Sequence, residues 1–111
     1  MMTENILNPH DARLEEVVLG ACLAESTAMA LVADKLRAEM FYEDNNREIY
    51  SALLALHHTG RPIDIITVKN ELAARGKLDA VGGPFRITAL SGGVASSAHL
   101  EQHAAILRGM Y

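Results

Sequence analysis

The chain has no tryptophan, only five aromatic residues, and a single cysteine among its 111 residues. One cysteine cannot form an internal disulfide, which excludes a disulfide-stapled scaffold and points to a reducing, cytoplasmic setting. The scarcity of aromatics leaves a core to be built from small and aliphatic side chains, and 17 Ala with 14 Leu supply it. Such a composition favours helices over sheets. Positive charge is also short, with Lys+Arg 10 against Asp+Glu 14 for a net charge of -4. A sequence-independent grip on nucleic acid needs a cationic surplus to replace phosphate counterions, so little direct DNA binding is expected. The apolar runs, such as residues 17–24 and 28–33, fall short of the roughly 18 to 20 residues that span a bilayer, and no basic stretch precedes an apolar one at the N-terminus. The expectation is one soluble domain without a membrane anchor.

Six segments carry helical periodicity. Asn8-Pro9 and Asp11 offer capping and first-turn residues for a helix whose Leu14, Val17, Val18, Ala21 and Cys22 share one face, with Arg13, Glu15 and Glu16 pointing elsewhere. Ser26 or Thr27 opens a second helix reaching about Arg37, and Met40-Phe41-Tyr42 forms an apolar connector tucked into the core. Asn45 followed by Glu48 predicts a capping box for a helix that ends near His58, with Gly60 just beyond. Asp64 caps a fourth helix to about Arg75, and Gly76 followed by Leu78 predicts a Schellman ending. Pro84 stands at the start of a short helix through Leu90, and Ser96-Ser97 begins the last. The fold class is all-α, a compact irregular bundle of about six helices, preceded by a flexible arm over residues 1–8.

Chemistry is sparse. No Gly-x-x-x-x-Gly-Lys-Ser/Thr occurs, and Gly82-Gly83 and Gly92-Gly93 read as helix breakers. His99 and His103 have the i, i+4 spacing of a metal pair, but the residues between them are Leu100, Glu101 and Gln102 rather than a base beside the first His, and no third ligand is evident. His57-His58 suits a helix C-terminus as a dipole partner. Ser91, Ser96 and Ser97 lack a Gly-x-Ser-x-Gly elbow, Cys22 belongs to an apolar stripe, and Glu15/Glu16 with Glu39, Glu43 and Asp44 read as solvated acidic faces. No catalytic, metal or cofactor residue is assigned. Phe85, Ile87 and Leu90 fit either the core, their preferred place, or a dimer or partner seam.

Several segments in order carry more than any one alone. These are Glu15-Glu16-Val17-Val18-Leu19-Gly20, Phe41-Tyr42 with Asn46-Arg47-Glu48-Ile49-Tyr50, and Pro62-Ile63-Asp64-Ile65-Ile66-Thr67-Val68. Leu72 with Arg75-Gly76-Lys77-Leu78, Val81-Gly82-Gly83-Pro84 and Val94-Ala95-Ser96-Ser97-Ala98 follow. Over residues 9–111 the series resembles the N-terminal domain of the bacterial replicative, DnaB-type hexameric DNA helicase. The resemblance implies a helical head that pairs with itself and forms a collar above an ATPase ring. It also implies primase and a helicase loader as partners, and ATP with Mg as cofactors of a separate motor domain. Where that family commonly has an Asn and then a Tyr in the last helix, this chain has His99 and His103. The expectation is a non-catalytic collar domain, cytoplasmic and replisome-associated, forming weak dimers alone and hexamers within an ATP-dependent 5′–3′ helicase. A free-standing adaptor that imitates the helicase head is the alternative, distinguished by whether the reading frame continues past Tyr111 into a phosphate-binding loop.

Overall fold

The computed structural model describes residues 11–93 and 98–111. Six α-helices and one 3-10 turn account for their regular structure: α1 (Ala12–Ala24), α2 (Ala28–Val32), the 3-10 turn Ala38–Met40, α3 (Asp44–His58), α4 (Ile65–Ala74), α5 (Gly83–Gly92) and α6 (Leu100–Met110). Among the described residues there is no strand, and no helix is long and apolar enough to cross a membrane. The all-α expectation is met. The proposed arm and Ser96-Ser97 lie outside the described residues, and α6 itself starts at Leu100.

Helix α1 is the hub, packed against α2, α3, α5 and α6. From Val18 to Leu23 it is buried on every side, so its apolar surface is broader than a single stripe. Cys22 and Ala21 are small enough to let neighbouring helices approach, and both are fully enclosed. Asp11 caps the helix as expected, its carboxylate accepting from the Leu14 amide at 3.0 Å.

The second helix is shorter than its periodicity suggests. It stops at Val32 instead of reaching Arg37, and the chain goes on in a turn where Lys35 N and Leu36 N both donate to Val32 O. The buried Tyr50 hydroxyl donates to Leu36 O at 3.0 Å, with Val32 O at 3.5 Å. Tyr50 also stacks on Phe41, ring centroids 4.6 Å apart, so one side chain from α3 holds both ends of the 33–41 connection. Met40 and Phe41 are in the core as expected, whereas Tyr42 is about half exposed.

The ends of α4 follow local rules more closely. Asp64 and Thr67 form a reciprocal capping box. At the other end of α4, Gly76 adopts φ +70°, Lys77 N bonds to Leu72 O, and Gly76 N bonds to Ala73 O. That is the Schellman pattern, with Leu78 packed against the core.

Candidate functional site

The start of α3 is where sequence and structure part. Asn45 does not cap it; the helix begins at Asp44, and Glu43 in the cap position makes no side-chain bond. Glu15 of α1 instead holds the segment that leads into the helix. Its carboxylate accepts from Tyr42 N at 2.6 Å, Glu43 N at 3.3 Å and the Asn46 side-chain amide at 3.0 Å. Glu15 is therefore fully buried, not on a solvated face, because a helix N-terminus needs an acceptor and a carboxylate satisfies several donors at once. On the carbonyl side of the same segment, Arg47 Nε donates to Phe41 O and Arg47 Nη2 to Tyr42 O. Residues 41–43 are thus gripped from both sides.

Asn46 passes the network onward. While its amide nitrogen donates to Glu15, its oxygen accepts from Arg86 Nη2 at 2.7 Å, and Asn46 is itself buried. Arg86 Nη1 donates to Val81 O at 3.1 Å and Nη2 to Glu16 at 3.3 Å. A chain of polar contacts therefore joins α1, α3 and α5. Gly82 makes it possible: its φ is +112°, and a Cβ there would lie 2.9 Å from Arg86 Cδ. The Glu-Glu, Asn-Arg-Glu and Val-Gly-Gly segments, far apart in sequence, converge on this one seam. Arg86 escaped the sequence reading; its signal is a lone cation set among Gly82-Gly83-Pro84-Phe85 and Ile87.

The seam fixes which way α5 faces. Ile87 is fully buried and Leu90 nearly so, both in the core. Phe85 is 82% exposed, so the core expectation does not hold for it: with Ile87 and Arg86 turned inward, helical spacing carries Phe85 outward. Thr88, Ala89 and Gly92 are exposed alongside it. Next to this face a groove of about 240 Å³ runs between α1 and α5, lined by Arg13, Glu16, Val17, Arg86, Ala89 and Leu90 with Gly93.

The other candidate groups are placed as follows. Cys22 lies in the core, and burial pushes its thiol up to about 12, leaving the nucleophilic thiolate negligible near neutrality. The His99 and His103 rings meet edge-on with centroids 6.2 Å apart. Among the described residues no three His, Cys, Asp or Glu side chains group as metal ligands. His57 and His58 sit in the last turn of α3. What the described arrangement offers is an exposed aromatic on a rigid helix beside a mixed apolar and charged groove, which is the chemistry of a docking surface.

Comparison with known proteins bears on the same segments. Residues 7–109 match the family described as DnaB-like helicase N terminal domain. The replicative DNA helicase DnaC of Bacillus subtilis (strain 168) is 35% identical over 101 residues, covering 91% of this chain and 22% of that protein. The replicative DNA helicase DnaB of Rhodothermus marinus is 35% identical over 99 residues, 89% of this chain and 10% of its own length. The chain thus spans about a fifth or less of these curated relatives. The crystal structure of the N-terminal domain of DnaB helicase from Mycobacterium tuberculosis is similar with a TM-score of 0.87 and 34% identity, covering 92% of this chain and 71% of that one. A DnaB-like replicative helicase, described with its interactions with primase, superposes with a TM-score of 0.76 at 28% identity, over 87% of this chain and 22% of that one.

Proposed function

The chain belongs to the DnaB-like helicase N-terminal domain family, and from that premise we propose that it is a non-catalytic assembly and recruitment module of a replicative DNA helicase. In this reading the domain pairs with copies of itself, contributes to the collar of a hexamer, and presents a platform to primase and a helicase loader during DNA replication. ATP and Mg belong to the motor domain of the full-length protein, which unwinds DNA 5′ to 3′ in the bacterial cytoplasm. The domain itself takes little direct part in DNA binding, in keeping with its net charge of -4. Likeness to a helicase described with its primase interactions supports the partner, and the family match supports the role in replication.

The observation that carries the proposal is Phe85. A phenylalanine 82% exposed on an ordered helix leaves about 1.5 to 3 kcal/mol of burial unrealised in the isolated chain, which a partner surface would recover. Its neighbours Ala89 and Gly92 are small, so a second helix can approach closely.

The test uses Phe85→Asp in this chain and in the full-length helicase. Sedimentation across concentration should show weak dimers for the chain and their loss in the variant. In the full-length protein the variant should reduce hexamer stability or primase stimulation while ATP hydrolysis per assembled ring is retained. An unchanged assembly together with unchanged primase response would refute the assignment of this face, and ATPase activity in the 111-residue chain would refute the non-catalytic reading.

A further inference from the structure

A second surface lies along α4, which packs against α3 and α5. Residues 57–77 contain Arg61, Lys69, Arg75 and Lys77 against Asp64 and Glu71, a formal charge of +2 with His57 and His58 neutral. The remainder of the chain holds six basic and twelve acidic residues, a formal -6. This stretch is therefore a basic island on an acidic domain.

The island is built rather than loose. Arg61 Nη2 donates to one oxygen of Glu71 at 3.0 Å, and Arg75 Nε donates to the other at 2.9 Å. Arg61 Nε is held by the Thr59 hydroxyl at 3.1 Å. One carboxylate thus fixes two guanidinium groups and leaves a unit of positive charge over. Lys69 has no ion pair among the described residues.

Apolar surface accompanies the charge. Ile66 is 68% exposed, and helical spacing puts Asn70 and then Ala73 and Ala74 in line with it, with Lys69 one turn along. Beside this line runs a groove of about 220 Å³ between α4 and the end of α3, lined by Leu56, Arg61, Pro62, Asn70, Glu71 and Ala74 with Thr67.

We propose that the α4 face docks an amphipathic helix of another protein, one that carries acidic side chains along the edge of its apolar stripe. Ile66 and the alanines take the stripe, while Lys69, Arg61 and Arg75 meet the acids. A second copy using the same face is disfavoured, since it would bring like charges together. Single-stranded nucleic acid would engage the cations but has no use for an exposed isoleucine between small residues, and α4 carries no Phe, Tyr or Trp for base stacking. The surface is distinct from the α5 face, so either can fail alone.

The experiment is a backbone amide NMR titration of the 111-residue chain with a synthetic helical peptide bearing leucines at i, i+3, i+4 and i+7 flanked by glutamates. Two further probes are the same peptide with lysines in place of the glutamates, and a single-stranded oligonucleotide. The acidic peptide should move resonances confined to residues 56–77 and should bind more tightly than either other probe. Ile66→Asp should weaken it roughly tenfold and Lys69→Glu about fivefold, with the amide spectrum elsewhere intact. Phe85→Asp should leave it unchanged. Equal binding of the lysine peptide, preference for the oligonucleotide, shifts centred on another face, insensitivity to both α4 substitutions, or no shift with any probe would each overturn the proposal.

Discussion

Glu15 and Glu71 are both glutamates that bind groups from other parts of the chain, yet they stand in opposite surroundings. Glu15 is sealed beneath α3 and α5, accepting from two backbone amides and the buried Asn46. Glu71, with 16% of its side chain exposed, lies at the edge of α4, bridging Arg61 and Arg75, whose side chains are 53% and 31% exposed. A buried acceptor is irreplaceable because the donors around it have no water to turn to. An ion pair whose cations reach solvent competes with water and is screened by salt. The first contact therefore sets where helices sit, and the second sets what charge the surface shows.

The contrast is broken most directly at Glu15. Glu15→Ala strands two amide N–H groups and the Asn46 amide, and should cost about 3 to 5 kcal/mol, read as a large drop in the urea midpoint. If it costs no more than loss of Glu71, burial does not distinguish the clusters. Gly82→Ala comes next. A side chain there meets both a positive φ and the Arg86 stem, and about 1 to 3 kcal/mol is expected. An Arg86→Ala background removes the Cδ and Cγ contacts at 2.9 and 3.3 Å but keeps Cβ at 3.0 Å and the backbone strain. The cost of Gly82→Ala should therefore shrink in that background without vanishing, a double-mutant cycle that measures how far the seam depends on close packing at Gly82.

The same contrast explains what could be read from the sequence. Asp64 as the cap of α4 and the Schellman turn at Gly76 were legible because cap and helix end lie within a few residues of their partners. So were Cys22, Val68 and Leu72 as core, since each repeats at helical spacing. Glu15 was not, because its donors are 27 to 31 residues away and an isolated Glu-Glu pair looks like any solvated face. The outward turn of Phe85 depends on Arg86 finding Asn46 forty residues back. The ordered segments that resemble a helicase head were readable as a series. The seam shows why Glu15, Asn46 and Gly82 occur together within it.

Glu71 supplies the smallest effect and the one that sharpens the comparison by its conditions. Arg75, and then Arg61, hold the Glu71 carboxyl below the usual carboxylate range through side-chain hydrogen bonds. A carboxyl whose folded value is depressed binds fewer protons in the folded than in the unfolded state. Its contribution is then complete above the unfolded value of about 4.3, and is lost as pH falls from there through the folded value. Glu71→Gln should therefore lower the melting temperature less than Gly82→Ala does at neutral pH and low salt. The gap in melting temperature between Glu71→Gln and the unsubstituted chain should narrow near 1 M salt, where the Debye length is about 3 Å, and should also narrow as pH drops below the carboxylate range. Calorimetry of both proteins across that grid is the check. A gap that survives both high salt and low pH would mean that Glu71 acts by packing, and the division between buried anchor and exposed charge would have to be redrawn at α4.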